Sequence, residues 1–375
     1  MRLFHAWMLS LALLISHIAV AAAAEPKRAT ENVILFMTDG LRWQEVFGGA
    51  EEALLTKDNG GVKDVDALKA DFWRDTPEAR REALMPFLWS VVAKQGQIYG
   101  NPAKGSRAAV TNGMKFSYPG YNETLCGFAD PRIDSNDKKP NPNITVFEWL
   151  NRKPAYHGRV AAFGVWDVFP YIFNTERCGF MVNAGWDPLL LSTSTPRIDM
   201  LNAMKSESTR YWKAEPFDAV TMFTAIEYLK EAKPRVMFLS INETDGWGHA
   251  GRYDLYLEAA RRADNCLKML WETTQSMPEY KGKTSIVFLP DHGRGDAPVE
   301  WKNHGQKTPK SEYIWMAYLG PDTPPLGERS NVPEVTQSQT AATVAALLGE
   351  DYAGTVPQVA EPIADVIGPV QSASR

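Results

Sequence analysis

The chain has 375 residues, 44% of them hydrophobic, and 40 Lys and Arg against 45 Asp and Glu leave a formal charge of −5. No basic run stands out from that mild acidity, so a nucleic-acid polymer is not an expected partner. With three cysteines in the whole chain, a structural thiolate zinc site is not expected either.

Residues 1–24 carry Arg2, an apolar stretch from Trp7 to Val20 and four alanines, Ala21 to Ala24. That order predicts a cleaved secretory signal peptide and a periplasmic or secreted product, with an uncleaved anchor as the alternative. Residues 25–375 are then read as one α/β domain with no membrane association after cleavage, its charge close to −6 once Arg2 is gone (39 basic, 45 acidic). Export would expose Cys126, Cys178 and Cys266 to an oxidising compartment, where Cys126 with Cys178 is the expected pair and Cys266 a buried thiol. Oligomeric state is not readable.

Strand-like runs follow in order at Val33–Met37, 97–99, 159–163, Val236–Ile241, 285–289 and 313–319. Helical patterns lie between them at 85–94, 217–232, 254–274 and 336–348. The alternation predicts a mostly parallel sheet with helices on both faces. Residues 58–66 and 134–143 read as polar surface loops, and the tail after Gly354 as loosely held.

The chemistry concentrates at the ends of these strands. Val33-Ile-Leu-Phe-Met37 runs into Thr38-Asp39-Gly40, and Ser285-Ile-Val-Phe-Leu-Pro290 runs into Asp291-His292-Gly293. Carboxylates just beyond parallel strands converge on one crevice. Asp245 and His249, at i and i+4, share a helical face and can grip one cation, and His304 follows downstream. Asp39, Asp245, His249, Asp291, His292 and His304 make six N/O ligands, too many for one tetrahedral ion and suited to two. Zinc fits this donor set outside the cytosol, and manganese is the alternative.

Two cations side by side clamp a phosphoryl or sulfuryl group while an oxygen attacks in line. Ser117 is the candidate oxygen, because Lys115-Phe-Ser-Tyr-Pro-Gly-Tyr121 turns from extended chain into a helix whose N-terminus favours an anion. An ordinary turn serine is the competing reading.

These motifs together resemble the alkaline phosphatase superfamily: Asp39 in Thr-Asp-Gly, a hydroxyl in Ser117-Tyr-Pro-Gly, Asp245 with His249, Asp291-His292-Gly293 and His304-Gly305. Thr340-Ala-Ala-Thr-Val-Ala-Ala-Leu-Leu-Gly349 is similar to the closing helix of its sulfatases and mutases. The resemblance implies one metal on Asp245, His249 and His304, a second on Asp39, Asp291 and His292, and Ser117 bridging both. The nearest subgroup resembles type I phosphodiesterases, nucleotide pyrophosphatases and related periplasmic phosphatases, in which a threonine is more usual at the nucleophile. An Asn about twenty residues later holds a phosphate oxygen in those enzymes. Asn136 is the best match here, with Asn141 and Asn143 as rivals.

Sulfatases need Cys/Ser-x-Pro-x-Arg, and Tyr121 stands where the arginine belongs. Mutases insert a whole domain between the nucleophile and later ligands, for which the 127 residues between Ser117 and Asp245 leave little room. Related phosphatases place Lys and Arg after a Phe-Gly strand end, whereas Phe163-Gly-Val-Trp-Asp-Val-Phe-Pro170 offers two aromatics and no cation. Trp166 and Phe169 would stack on a substrate or belong to the core. Arg42, Lys115 and Arg294 are the substitute cations, with Arg294 chosen as substrate-binding and ordinary surface charge as the alternative. The expected activity is hydrolysis of a small phosphate ester, diester before monoester, through a phosphoseryl intermediate. Sulfate- or phosphonate-ester hydrolysis and non-catalytic metal binding remain the rivals.

Overall fold

Asn32–Thr38 forms strand β1 with every side chain buried, as an uninterrupted apolar run requires of a strand covered on both faces. The structure, a computed structural model, describes residues 28–369; the expected signal peptide, 1–24, lies outside the described residues. Seven further strands complete one sheet: β2 (Gln97–Tyr99), β3 (Val160–Gly164), β4 (Met181–Ala184), β5 (Val236–Ile241), β6 (Thr284–Pro290), β7 (Met316–Leu319) and β8 (Gly327–Glu328). Their spatial order is β8-β2-β7-β6-β1-β5-β3-β4. Only β7 runs antiparallel to its neighbours, so the sheet is mostly parallel, as the strand–helix alternation predicts. A small second sheet joins Ala108–Ala109, Tyr313–Ile314 and Val335–Thr336.

The period of two along β1 divides the core. Ile34 and Phe36 point into one apolar cluster with Tyr256, Ala260, Ala263 and Leu267, which recur every three or four residues along helix Tyr253–Ser276. Val33, Leu35 and Met37 point the other way, toward Leu125 and Val344. Those two residues come from the helices Ser117–Cys126 (α1) and Gln339–Leu347, numbered here with Asp218–Ala232 (α2), Glu243–His249 (α3), Tyr253–Ser276 (α4) and Gln339–Leu347 (α5).

Several local expectations are corrected. Residues 313–319 split into two strands of different sheets around Trp315, which is buried and donates its indole N–H to the Leu41 carbonyl at 3.0 Å. Residues 85–94 are helical as expected but widen into a π-type stretch, Leu88–Val92, before Ala93–Gln95. The polar stretch 58–66 holds a short helix, Lys57–Gly60, and starts Val65–Phe72, because Thr56 and Asp64 cap them by accepting from Asn59 N and Ala67 N. The tail is fastened through buried Val359, Ile363 and Val366 and a bond from Ala360 N to Gly127 O. All three cysteines are free and buried: the Cys126 sulfur faces Asn141 and the Cys178 thiol faces the Phe180 carbonyl, so the expected pair is not formed. Among the described residues no helix is long and apolar enough to cross a membrane.

Candidate metal centre

Strand register assembles the centre. Thr38 at the end of β1 lies opposite Ile241 on one side and Pro290 on the other, so Asp39, Asn242 and Asp291 leave the sheet at one level. Gly40 turns the chain with φ +59°, and a Cβ there would stand 2.8 Å from Arg294 Nε and 3.1 Å from Asp245 Oδ1. Only glycine lets the backbone pass so close to the crevice. The Asp291 carboxylate accepts from Gly40 N at 3.0 Å and from His292 N at 2.9 Å, both through Oδ1.

Three donor atoms are thereby left pointing at one another. His292 Nε2 lies 3.1 Å from Asp39 Oδ1 and 3.6 Å from Asp291 Oδ2, and each of these three buried atoms lacks a hydrogen-bond partner. Ligands about 2.0–2.2 Å from zinc at tetrahedral angles stand roughly 3.4 Å apart, so the spacing suits a divalent cation. The His292 Nδ1 atom meets the Gly293 carbonyl at 2.9 Å, which fixes the ring so that Nε2 faces the crevice.

A second set adjoins the first. His249 Nε2 is 3.3 Å from Asp245 Oδ2 and 2.9 Å from His304 Nε2, and His304 Nε2 is 3.5 Å from Asp245 Oδ1. His304 also stacks on His292 with ring centroids 3.9 Å apart, so that Asp245, His292 and His304 themselves form a compact candidate ligand group. Asp245 and His249 come from opposite ends of one turn of α3, as their i, i+4 spacing predicts.

Electrostatics make these groups available to a cation. Burial pushes His292 down to about 4 and His304 down to about 3, the latter with help from His292, so both imidazoles are neutral with free lone pairs at neutral pH. Burial pushes Asp39 up to about 7, with Asp245 adding to it. Burial and the charge on Asp39 hold Asp291 well above the carboxylate range. Burial also opposes ionisation of Asp245, but Arg294 and His304 outweigh it and the net shift is downward. Crowded carboxylates of this kind are relieved by bound positive charge.

Ser117 enters from the far side. It is the first residue of α1 and 6% exposed, after Lys115 in a left-handed turn (φ +55°). Contacts on both flanks press this turn into the crevice. The Lys115 carbonyl lies 3.2 Å from His304 Nδ1. Gly120 packs so tightly that a Cβ would be 2.3 Å from the Asp291 carbonyl oxygen. One turn on, the Tyr121 hydroxyl reaches Asp39 Oδ2 at 3.3 Å and Ser240 Oγ at 2.8 Å.

The remaining expected residues divide. Asn136 accepts from Tyr118 N at 3.0 Å with its Oδ1, beside Ser117. Its rivals Asn141 and Asn143 lie in a buried network with Asn122 and Asp130. Arg294, expected to bind substrate, is fully buried, donates to the Asp245 carboxylate and, at 2.7 Å, to the Lys302 carbonyl, and so grips a ligand. Arg42 is buried between Glu45 and Glu51, and Lys115 is tied to Glu312 at 2.8 Å. Phe169 belongs to the core, packed on Tyr121 and Phe238.

Three neighbours escape sequence reasoning. Gln337 donates to the Asp291 carbonyl at 2.8 Å, Thr244 donates to the Asp39 carbonyl, and Glu215 receives the Asn242 amide. None sits in a motif; each arrives through tertiary contact alone.

Residues 202–331 match the sequence model of the family described as Metalloenzyme superfamily. No curated protein matches the chain in sequence. Among solved structures, wild-type alkaline phosphatase PafA is similar with TM-score 0.56 at 11% identity, over 92% of this chain and 100% of that one. A protein in the alkaline phosphatase superfamily from Vibrio parahaemolyticus gives 0.50 at 12%, over 92% and 71%. The phosphonate monoester hydrolase of Agrobacterium radiobacter gives 0.51 at 14%, over 85% and 74%. The resemblance drawn from the motifs is thus shown at the level of architecture: the chain has the fold of the alkaline phosphatase superfamily, and the segment that matches the Metalloenzyme superfamily model carries five of the six candidate ligands, all but Asp39.

Proposed function

We propose that this protein is a metal-dependent hydrolase of small phosphate esters that works through a covalent phosphoserine on Ser117 and takes diesters before monoesters. One observation carries the reading: the partnerless Asp39 Oδ1, Asp291 Oδ2 and His292 Nε2 meet beside the helix that begins at Ser117, whose Gly120 packs directly on the Asp291 backbone. Two divalent cations, zinc or manganese, held by Asp39, Asp291 and His292 and by Asp245, His249 and His304, would supply Lewis acidity that lowers the serine pKa and offsets phosphoryl charge.

Within that setting the side chains have separate tasks. Ser117 Oγ, having given its proton to water, attacks phosphorus as the bond to the leaving alcohol breaks, and the departing alkoxide takes a proton back from water. Asn136, with Oδ1 held by Tyr118 N, has its amide N–H groups left to donate to a phosphoryl oxygen. Arg294 fixes the Asp245 carboxylate, and Tyr121 orients Asp39. Water then adds to phosphorus from the side the alcohol vacated, Ser117 Oγ departs with a proton, and inorganic phosphate or a monoester is released.

Diester preference is supported by charge. A dianionic monoester needs cations beyond two metals, and Arg42, Lys115 and Arg294 are all engaged by carboxylates. The test is Ser117→Ala with metal analysis: turnover of aryl phosphate esters should vanish while metal content stays near wild type, and retained turnover overturns the nucleophile. Because a phosphonate monoester hydrolase shares the fold, the substrate panel should include aryl phosphonate and sulfate esters; faster turnover of either would favour that second reading.

A further inference from the structure

Glu215 is a carboxylate placed where the site lacks a cation. Its segment is drawn toward the loop after β3 by the bond from Asp167 N to Ala214 O at 3.1 Å, a loop whose residues 165–173 include no lysine or arginine. The carboxylate accepts from Asn242 Nδ2, at the end of β5. Asn242 is 9% exposed, and its Oδ1 is buried without a partner. The charges that act most on Glu215 are all negative, Asp245 first, then Asp39 and Asp218. On the loop after β3 itself, Asp167 is paired with Lys138 at 2.7 Å.

The surroundings strengthen the effect of that charge. Tyr211, Trp212, Phe217 and Trp247 pack in one aromatic cluster with centroids 4.8–6.3 Å apart. Trp212 lies on Gly246, where a Cβ would be 2.8 Å from the indole, next to the ligand Asp245. Aromatic cover lowers the local dielectric, and a like charge acts further and harder there than in water. Burial, with Asp245 adding to it, pushes Glu215 up to about 8.

We infer that Glu215 is a specificity-determining residue whose carboxylate, held by Asn242 at the strand ends that form the phosphoryl site, selects singly charged phosphodiesters over doubly charged monoesters at alkaline pH. The inference rests on the hydrolase reading above and gives its diester preference a residue. A monoanionic diester carries one charge that the paired cations absorb. A dianion brings a second, which meets Glu215 across the site, while Arg42, Lys115 and Arg294 are already engaged by carboxylates.

Glu215→Gln keeps the acceptor for Asn242 and removes only the charge. Paired assays with p-nitrophenyl phosphate and methyl p-nitrophenyl phosphate at alkaline pH should show kcat/KM for the monoester rising about tenfold, with the diester little changed. Metal content should equal wild type, and Glu215→Lys should move the ratio further. Calorimetric titration of the metal-loaded protein with inorganic phosphate and with dimethyl phosphate reads the same selection without turnover: the variant should bind phosphate about tenfold tighter and dimethyl phosphate as before. An unmoved ratio, or loss of both activities together with metal, overturns the assignment and leaves the hydrolase reading standing. A wild-type protein that turns over neither ester sinks the hydrolase reading, and the titrations alone then decide Glu215.

Discussion

Glu123 and Asp291 are fully buried carboxylates that touch the same helix, α1, and they have opposite surroundings. Glu123 accepts from Thr111 N at 2.9 Å, Thr111 Oγ1 at 2.8 Å, Asn112 N at 2.8 Å, Asn112 Nδ2 at 2.7 Å and Ser338 Oγ at 2.7 Å. Asp291 has Oδ1 satisfied by two backbone amides, while Oδ2 has no donor and faces His292 and the equally unpartnered Asp39 Oδ1. Leaving a buried carboxylate oxygen without a donor is expensive, and the protein shows at Glu123 that it can avoid the cost. The difference separates a carboxylate that ties loops together from carboxylates kept free for a cation, and both are hung on the helix that begins with Ser117.

The largest effect that would break this contrast is at the crevice. Asp39→Asn and Asp291→Asn should each cost on the order of 10³-fold or more in turnover by removing a first ligand. In the presence of chelator, though, their thermal unfolding should lie at or above wild type, since each substitution removes a carboxyl group that burial and its neighbours make costly to ionise. Chelated variants that melt well below wild type would mean that these carboxylates hold the fold, as Glu123 does. Glu123→Ala should show the reverse pattern: a loss of about 3–5 kcal/mol in denaturant unfolding, the same with and without metal, because the Thr111, Asn112 and Ser338 donors are stranded.

How far this contrast is visible before folding depends on chemistry and chain pattern. The continuous apolar runs at Val33–Met37 and Val236–Ile241 match β1 and β5 to within a residue at each end, because a strand buried on both faces has no polar side to blur it. Met181–Ala184 shows no such run, since this edge strand is half exposed and contains Asn183, and it went unread. Asp39, Asp245, Asp291 and the three histidines stand out because His is rare and the strand ends are marked. Glu123, Glu215 and Gln337 do not, because Glu and Gln are common and their partners lie up to 215 positions away along the chain, as Ser338 does from Glu123. The orientation of Arg294 was equally hidden: three positions after Asp291 it reads as a charge near the mouth, and only the fold turns it inward onto Asp245.

A smaller effect sharpens the geometry between the two regions. Gly120→Ala would put a Cβ 2.3 Å from the Asp291 carbonyl oxygen, and that atom is backbone and cannot swing away. Stability should fall by about 1–3 kcal/mol, and displacement of α1 from Asp291 should lower kcat more than it raises KM, because Ser117 moves relative to the ligands while substrate contacts elsewhere persist. Unchanged kinetics in a destabilised protein would show that α1 packing and the crevice are independent.

The smallest effect concerns a third buried carboxylate that lies between the two extremes. Asp264 accepts from Phe87 N at 2.8 Å and Leu88 N at 2.7 Å, so it is satisfied by neutral donors alone. Burial outweighs those bonds and pushes it up to about 6. A carboxyl whose pKa is higher folded than unfolded holds its proton more tightly in the native state. Its ionisation therefore weakens the fold as pH rises through the window from the ordinary Asp value of about 4 to about 6, and the fold regains that stability on acidification. Measured against Asp264→Asn, which cannot ionise, wild type should lose on the order of 1–3 kcal/mol of relative stability between pH 4 and pH 7. A flat difference across that range would mean that two backbone amides are enough to hold a buried negative charge. The unpartnered oxygens of Asp39 and Asp291 would then be the more exceptional, since even modest donor support would suffice elsewhere in the molecule.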